Sequence, residues 1–151
     1  MNPPTATPPP DWLIFAIIGG FLVVFPVFWC CVVWMLSRMS GWHTLAKRHA
    51  AGSRPMEGTC VGGVTGMVGG VSYRSTLTLH FNPDGFFLEV MPLFKPGHQR
   101  LFIPWSEVTA RVPFRVLWWK AEKLTIGEPA IGTITLPADL LARHAPRPST
   151  Y

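Results

Sequence analysis

Residues 75–91 read STLTLHFNPDGFFLEVM, and this stretch decides the fold of the larger part of the chain. From 75 to 81 the side chains alternate. Leu77, Leu79 and Phe81 fall on one face, and Thr76, Thr78 and His80 on the other. That is the period of a half-buried strand. Asn82-Pro83-Asp84-Gly85 follows, with proline at the second turn position and glycine at the fourth. Residues 86–91 then return as a second strand and close a β-hairpin.

Outward from this hairpin the same grammar repeats. Toward the C-terminus, residues 100–104 read as a strand that ends at Pro104-Trp105-Ser106-Glu107. Residues 108–114, 117–126 and 130–136 have strand character, and Pro113 is expected to break the first of them. Residues 137–144 read as a short helix, with Pro137 at its first turn and Arg143 and His144 in its last. Toward the N-terminus, residues 57–61 and 68–74 are expected strands. The intervening GGVTGMVGG is expected to be a flexible loop or bulged strand edge. The total is about seven short strands and one C-terminal helix in roughly 90 residues, enough to bury a core. The expected fold is a mainly-β domain, a strongly bent antiparallel sheet or small barrel with the helix plugging one end.

Further upstream, residues 12–36 read WLIFAIIGGFLVVFPVFWCCVVWML, 25 residues without a charge. About 20 apolar residues suffice for a transmembrane α-helix, and at 1.5 Å per residue this run covers roughly 37 Å. A cleaved signal peptide fits poorly. Residues 1–11 hold no base, the apolar core is too long, and Ser37-Arg38-Met39-Ser40 lacks a small-x-small cleavage pattern. Pro26 is expected to kink the span. Gly19, Gly20, Pro26 and Trp29 are the candidates for packing against another membrane helix. The proline-rich residues 1–11 read as a disordered tail.

The charge is concentrated beside the span. The chain carries 13 Lys+Arg against 8 Asp+Glu, a net +5, and charged residues are only 14% of it. Residues 37–54 hold Arg38, Lys47, Arg48 and Arg54 and no acid. Bases flank spans on the cytoplasmic side. The expected topology is therefore single-pass in a cell inner membrane, with the N-terminus outside and the C-terminal domain in the cytoplasm. Trp42, Leu45, Ala46 and His49 recur at helical spacing, with Ser40 as a candidate N-cap. Residues 37–54 thus read as a basic amphipathic juxtamembrane helix and linker, lying at the cytoplasmic interface or against the domain, with Arg38, Trp42, Lys47 and Arg48 as the candidate contacts to the membrane surface. The expected organisation is tail 1–11, span 12–36, juxtamembrane segment 37–54, β domain 55–145 and a loose tail 146–151.

Motifs for catalysis are missing from the sequence. The Gly-rich stretch carries no GxxxxGK[ST] or GxGxxG pattern, and no base lies between Arg54 and Arg74. The five histidines show no HxH or HExxH spacing. No CxxC pairs the cysteines Cys30, Cys31 and Cys60. No GxSxG elbow is present. The expectation is a non-enzyme with no catalytic, cofactor-binding or metal-ligating residue, no cofactor and no small-molecule substrate. The nearly neutral β domain argues against a nucleic-acid partner. Trp118 and Trp119 stand out, because adjacent strand residues point to opposite faces. One ring is expected in the core and the other exposed. Trp118, Trp119, Lys120 and Lys123 are the candidate contacts to a partner or to lipid.

The order of strands and helix resembles the pleckstrin-homology-like (PH-like) superfold, including the bacterial PH-like and GRAM-like domains. Ser40-Gly41-Trp42 with Leu45-Ala46, Gly85-Phe86-Phe87-Leu88 and Phe102-Ile103-Pro104-Trp105-Ser106-Glu107-Val108, together with the span, also look like a group of small bacterial single-pass membrane proteins. The resemblance covers residues from about 12 to 140. It implies a fold and no activity, since fold alone does not carry function. Inositol-phosphate-binding PH domains carry bases in the first β-β loop, which here would be the base-free GGVTGMVGG. The partners expected are the lipid bilayer and a protein or peptide bound by a membrane-anchored adaptor. The alternative is an accessory structural subunit of a membrane complex held through the span.

Overall fold

The computed structural model describes residues 9–116 and 118–146. Most of the expected N-terminal tail, and all but the first residue of the expected C-terminal tail, lie outside them. The chain forms two compact units, one up to Val32 and one from Val33 onward.

The first unit is most of helix α1 (Asp11–Met39). Asp11 lies in its first turn and Arg38 in its last, each suited to the helix dipole there. Pro26 is inside the helix and does not end it. From Trp12 to Phe28 the large apolar side chains are exposed, with Leu13 half-buried. The helix is therefore apolar on every face, and it is long and apolar enough to cross a membrane.

The second unit begins with the last turns of α1 and continues through α2 (Trp42–His49), seven strands and α3 (Ala138–His144). The strands are β1 (Thr59–Val68), β2 (Val71–Phe81), β3 (Gly85–Val90), β4 (Leu101–Pro104), β5 (Val108–Val116), β6 (Trp119–Ile126) and β7 (Gly132–Pro137). They form one antiparallel sheet in the order β4-β3-β2-β1-β7-β6-β5. Its two edges, β4 and β5, are joined by the single 3-10 turn Trp105–Glu107. Three residues reach only about 10 Å, so the sheet must curl until its edges approach. The result is a curled half-barrel with a C-terminal helix, as expected from the sequence.

The core lies inside this curl. Leu77 and Leu79 of β2, Phe86 and Leu88 of β3, Leu101 and Ile103 of β4, Leu124 and Ile126 of β6, and Ile134 and Leu136 of β7 are all fully buried. Leu140 and Leu141 of α3 join them. The Asn82 turn forms as its residues demand. Asn82 Oδ1 accepts the N–H groups of Asp84 at 3.1 Å and Gly85 at 2.8 Å, an Asx-type closure.

Three expectations are sharpened or corrected. Of the two forms expected for the glycine-rich stretch, the bulged strand is found and the loop is not. The stretch is the body of β1, with register shifts on either side of Val64 and a tight turn at Gly69 and Gly70, whose φ angles are +53° and +92°. Two adjacent positive φ values are what a two-residue hairpin needs, and glycine supplies them without penalty. Pro113 does not break its strand either. It pairs with Glu122 inside β5, which is an edge strand, where a missing N–H costs no ladder bond. Finally, residues 37–54 are not a segment apart from the domain. Trp42 and Leu45 of α2 are fully buried in the core, and Ala50 bridges to Leu101 at the β4 edge. Ala51 packs with Phe87 and Phe102 on the outer face. Core burial of α2 replaces the membrane-surface contact expected of Trp42.

Candidate functional site

Two places in the β domain concentrate unusual residues: the corner between α1 and α2, and the tip of the β5–β6 hairpin.

At the corner, Gly41 turns the chain with φ +70°. Ser37 and Ser40 are buried. Ser37 Oγ donates to the Gly97 carbonyl, and the N-cap of α2 is Gly41 in place of the expected Ser40, whose Oγ accepts the Trp42 amide at 3.3 Å. Trp42 Nε1 donates to the Gln99 carbonyl at 2.7 Å. The Trp42 ring meets His98 edge-on, with centroids 5.0 Å apart, and Tyr73 at 5.8 Å.

Proton placement in this cluster follows from its acceptors. His98 Nδ1 lies 3.2 Å from the Pro96 carbonyl, which can only accept, so Nδ1 carries the proton of the neutral ring. Nε2 lies 2.8 Å from the Tyr73 hydroxyl oxygen. That hydroxyl donates to Ser40 Oγ at 3.1 Å, and Ser40 Oγ donates in turn to the Ser37 carbonyl at 3.2 Å. A proton added at Nε2 would be donated to the Tyr73 oxygen, whose own proton already goes to Ser40. The hydrogen bonds survive, but a charge is now buried. Burial accordingly holds the His98 pKa below the ordinary 6.5, and it raises that of Tyr73 above 10.0. His49, buried in α2 with Nε2 unpaired, is also lowered, first by burial.

The sign of the pH effect follows. The unfolded chain takes up protons on these histidines near pH 6.5, and the folded chain does so only at lower pH. Stability is fully present above about pH 6.5 and falls as the pH drops toward the folded pKa values. Thermal unfolding of the full chain in neutral detergent is expected to shift to lower temperature between pH 7 and pH 5. His98→Gln is expected to shrink that shift, leaving the share due to His49. An identical slope in the variant would remove His98 from this account.

At the hairpin tip, Trp118 is 88% exposed, the barest large apolar side chain among the described residues of the β domain. Trp119 is half-buried and meets the ring of Phe114 edge-on at 6.2 Å. Neither tryptophan enters the core, so the expected division into one core ring and one exposed ring holds only for Trp118. Arg115 and Lys120 are exposed and pair across the hairpin. Lys123 is separate from them. It lies five residues from Trp118, roughly 16 Å along a strand, and lines a shallow cleft with Met39, Gly41 and Gly70.

The remaining sequence candidates are dispersed. Lys47 and Arg48 are exposed on α2, away from its buried Trp42, Leu45, Ala46 and His49. Arg38 is exposed and lies over the Trp34 ring, 4.7 Å from its centroid. On α1, seven residues separate Gly19 from Pro26, which puts them on one face. Gly20 lies about 100° round from Gly19, and Trp29 continues the stacked row of Phe21 and Phe25. Among the described residues, no three His, Cys, Asp or Glu side chains are grouped to hold a metal ion. The buried Tyr73–His98 pair was not singled out by spacing, because its members are 25 residues apart and meet only through the fold.

No family model, curated protein or solved structure matches this chain.

Proposed function

We propose that the chain is a single-pass inner-membrane protein. In this reading α1 anchors a PH-like β domain on the cytoplasmic side, and the domain works as a non-enzymatic adaptor for a protein partner. The bases Arg38, Lys47, Arg48 and Arg54 after the apolar helix support that orientation. The observation that carries the adaptor reading is Trp118. A tryptophan 88% exposed at a hairpin tip leaves a large apolar surface in water, the kind of residue that anchors protein interfaces. Arg115 and Lys120 beside it favour a partner whose surface is apolar at its centre and acidic at its rim.

The test is co-purification of the full chain from native membranes, for the wild type and Trp118→Ser. The variant is expected to lose the partner while its thermal unfolding stays within about 0.5 kcal/mol of wild type, because the side chain packs on nothing buried. A partner retained at wild-type level by Trp118→Ser would overturn the hairpin-tip assignment.

The accessory-subunit reading has one supporting observation. Gly19 shares a face of α1 with Pro26, and a Cβ at Gly19 would meet open space, so a second helix could approach there. Replacing residues 12–36 by polyleucine should release the partner in that case and retain it in the adaptor case.

A further inference from the structure

We propose that the cleft beside the last turn of α1 binds a phosphate-bearing group. The cleft measures about 450 Å³, and its lining includes Arg38, His43, Lys95 and Arg100 together with Trp34 and His98. These side chains come from four places in the chain: the end of α1, the start of α2, the turn after β3 and the entry to β4. No carboxylate lines the cleft. Lys95 also meets Glu89 of an adjoining cleft at 3.3 Å.

Two of the bases are preset for an oxyanion. The Arg38 guanidinium carbon stands over the Trp34 ring, 4.7 Å from its centroid, a cation–π contact that engages no carboxylate. Arg100 donates Nη2 to the Gly52 carbonyl at 2.9 Å, which orients its fork. Its Nε is buried and has no acceptor. An unanswered buried donor is costly unless something supplies an oxygen. Guanidinium groups and an ammonium converging on a space of this size match the several acceptor oxygens of a phosphate better than a single carboxylate.

Two sources share that chemistry: the headgroup of an anionic phospholipid and a free phosphate. The lipid source rests on the membrane-spanning reading of α1. Arg38 is the first charge after the apolar run, so in a spanning helix it lies at headgroup depth.

The full chain in a neutral detergent would be titrated with inorganic phosphate, with dihexanoyl-phosphatidylglycerol and with dihexanoyl-phosphatidylcholine, following Trp fluorescence and thermal unfolding. Short-chain lipid reaches the cleft whether or not α1 spans a bilayer, so a negative result tests the cleft and not the anchor. Saturable binding of the phosphatidylglycerol is expected, weakened about tenfold or more in Arg38→Gln/Lys95→Gln. The two replaced side chains are exposed, so folding should be preserved. Lys47→Gln/Arg48→Gln removes the same charge from outside the cleft and should change binding less than about threefold. Saturation by inorganic phosphate as well would assign the site to the phosphate alone, and saturation by the glycerophospholipid only would assign it to a lipid headgroup. No saturable binding of either, or equal weakening in both double variants, would overturn the proposal.

Discussion

Gly69→Ala is expected to cost the β domain about 3 kcal/mol or more, and Gly70→Ala next to it only about 1–2 kcal/mol. Both residues sit at positive φ in the β1–β2 turn, so both replacements pay left-handed strain. They differ in what a new methyl group would meet. At Gly70 it finds open space. At Gly69 it would overlap the carbonyl oxygen of Ser40, a backbone atom at the α1–α2 corner. That atom cannot withdraw easily. Ser40 is buried and its hydroxyl belongs to the Trp42–Tyr73–His98 cluster, while the Gly69 amide is held by the Thr133 carbonyl at 2.9 Å. Thermal unfolding of the two variants in the same detergent checks this. Equal midpoints would mean that the corner is not pressed against the turn.

Trp42→Ala is expected to destabilise the chain by about 3–5 kcal/mol, the usual cost of emptying a buried aromatic site. The ring is fully buried and packs on Tyr73 and His98. Its loss would leave a cavity at the mouth of the half-barrel and strip the Gln99 carbonyl of its donor. At about 2–4 °C per kcal/mol for a chain of this size, the midpoint should fall by about 6–20 °C. Trp42→Phe keeps most of the packing and loses the 2.7 Å bond, so it should cost about 1–3 kcal/mol. A loss in the phenylalanine variant as large as in the alanine variant would shift the weight from packing to the hydrogen bond. A change below about 1 kcal/mol in Trp42→Ala would mean that α2 is not part of the core.

Much of the fold was legible where a local pattern has one solution. The alternation at 75–81, the Asn82 turn and the return strand form the hairpin β2–β3 as read. The apolar run and the proline-led C-terminal helix also form at nearly their expected bounds. The β1–β2 hairpin was legible in principle, since Gly69-Gly70 between strand-like residues is a hairpin signal. It was obscured by four further glycines upstream, which read as loop or bulged edge until the neighbouring strands pair them. Pro113 misleads for a related reason. Whether proline breaks a strand depends on whether that strand lies at an edge, and an edge is a property of the whole sheet.

The candidate sites divide in the same way. Trp118 could be flagged from its type and its neighbour, but which of the two tryptophans is bare depends on where the turn falls between β5 and β6. The basic cleft was not legible. Arg38 and His43 were within one short segment, whereas Lys95 and Arg100 arrive from more than fifty residues away, carried there by the β3–β4 connection. Trp42 was read on the correct helix face, with the membrane surface and the domain both open as what it meets. Helical spacing tells which residues turn away from water, and it does not tell whether lipid or protein receives them.

The sequence by itself determined the apolar helix, the hairpin turn and the count of strands, because each follows from interactions within a few residues: backbone hydrogen bonding in an apolar run, side-chain alternation, Asx closure. Only the tertiary structure decided that the end of α1 and all of α2 belong to the β domain, that His98 shares its proton network with Tyr73 and Ser40, and that four separated bases ring one cleft. Those features depend on closure of the sheet, in which the short Trp105–Glu107 connection draws the two edges together. The curl leaves an apolar mouth, and Trp42 and Leu45 fill it because burying them there removes more apolar surface from water than any position within their own segment could.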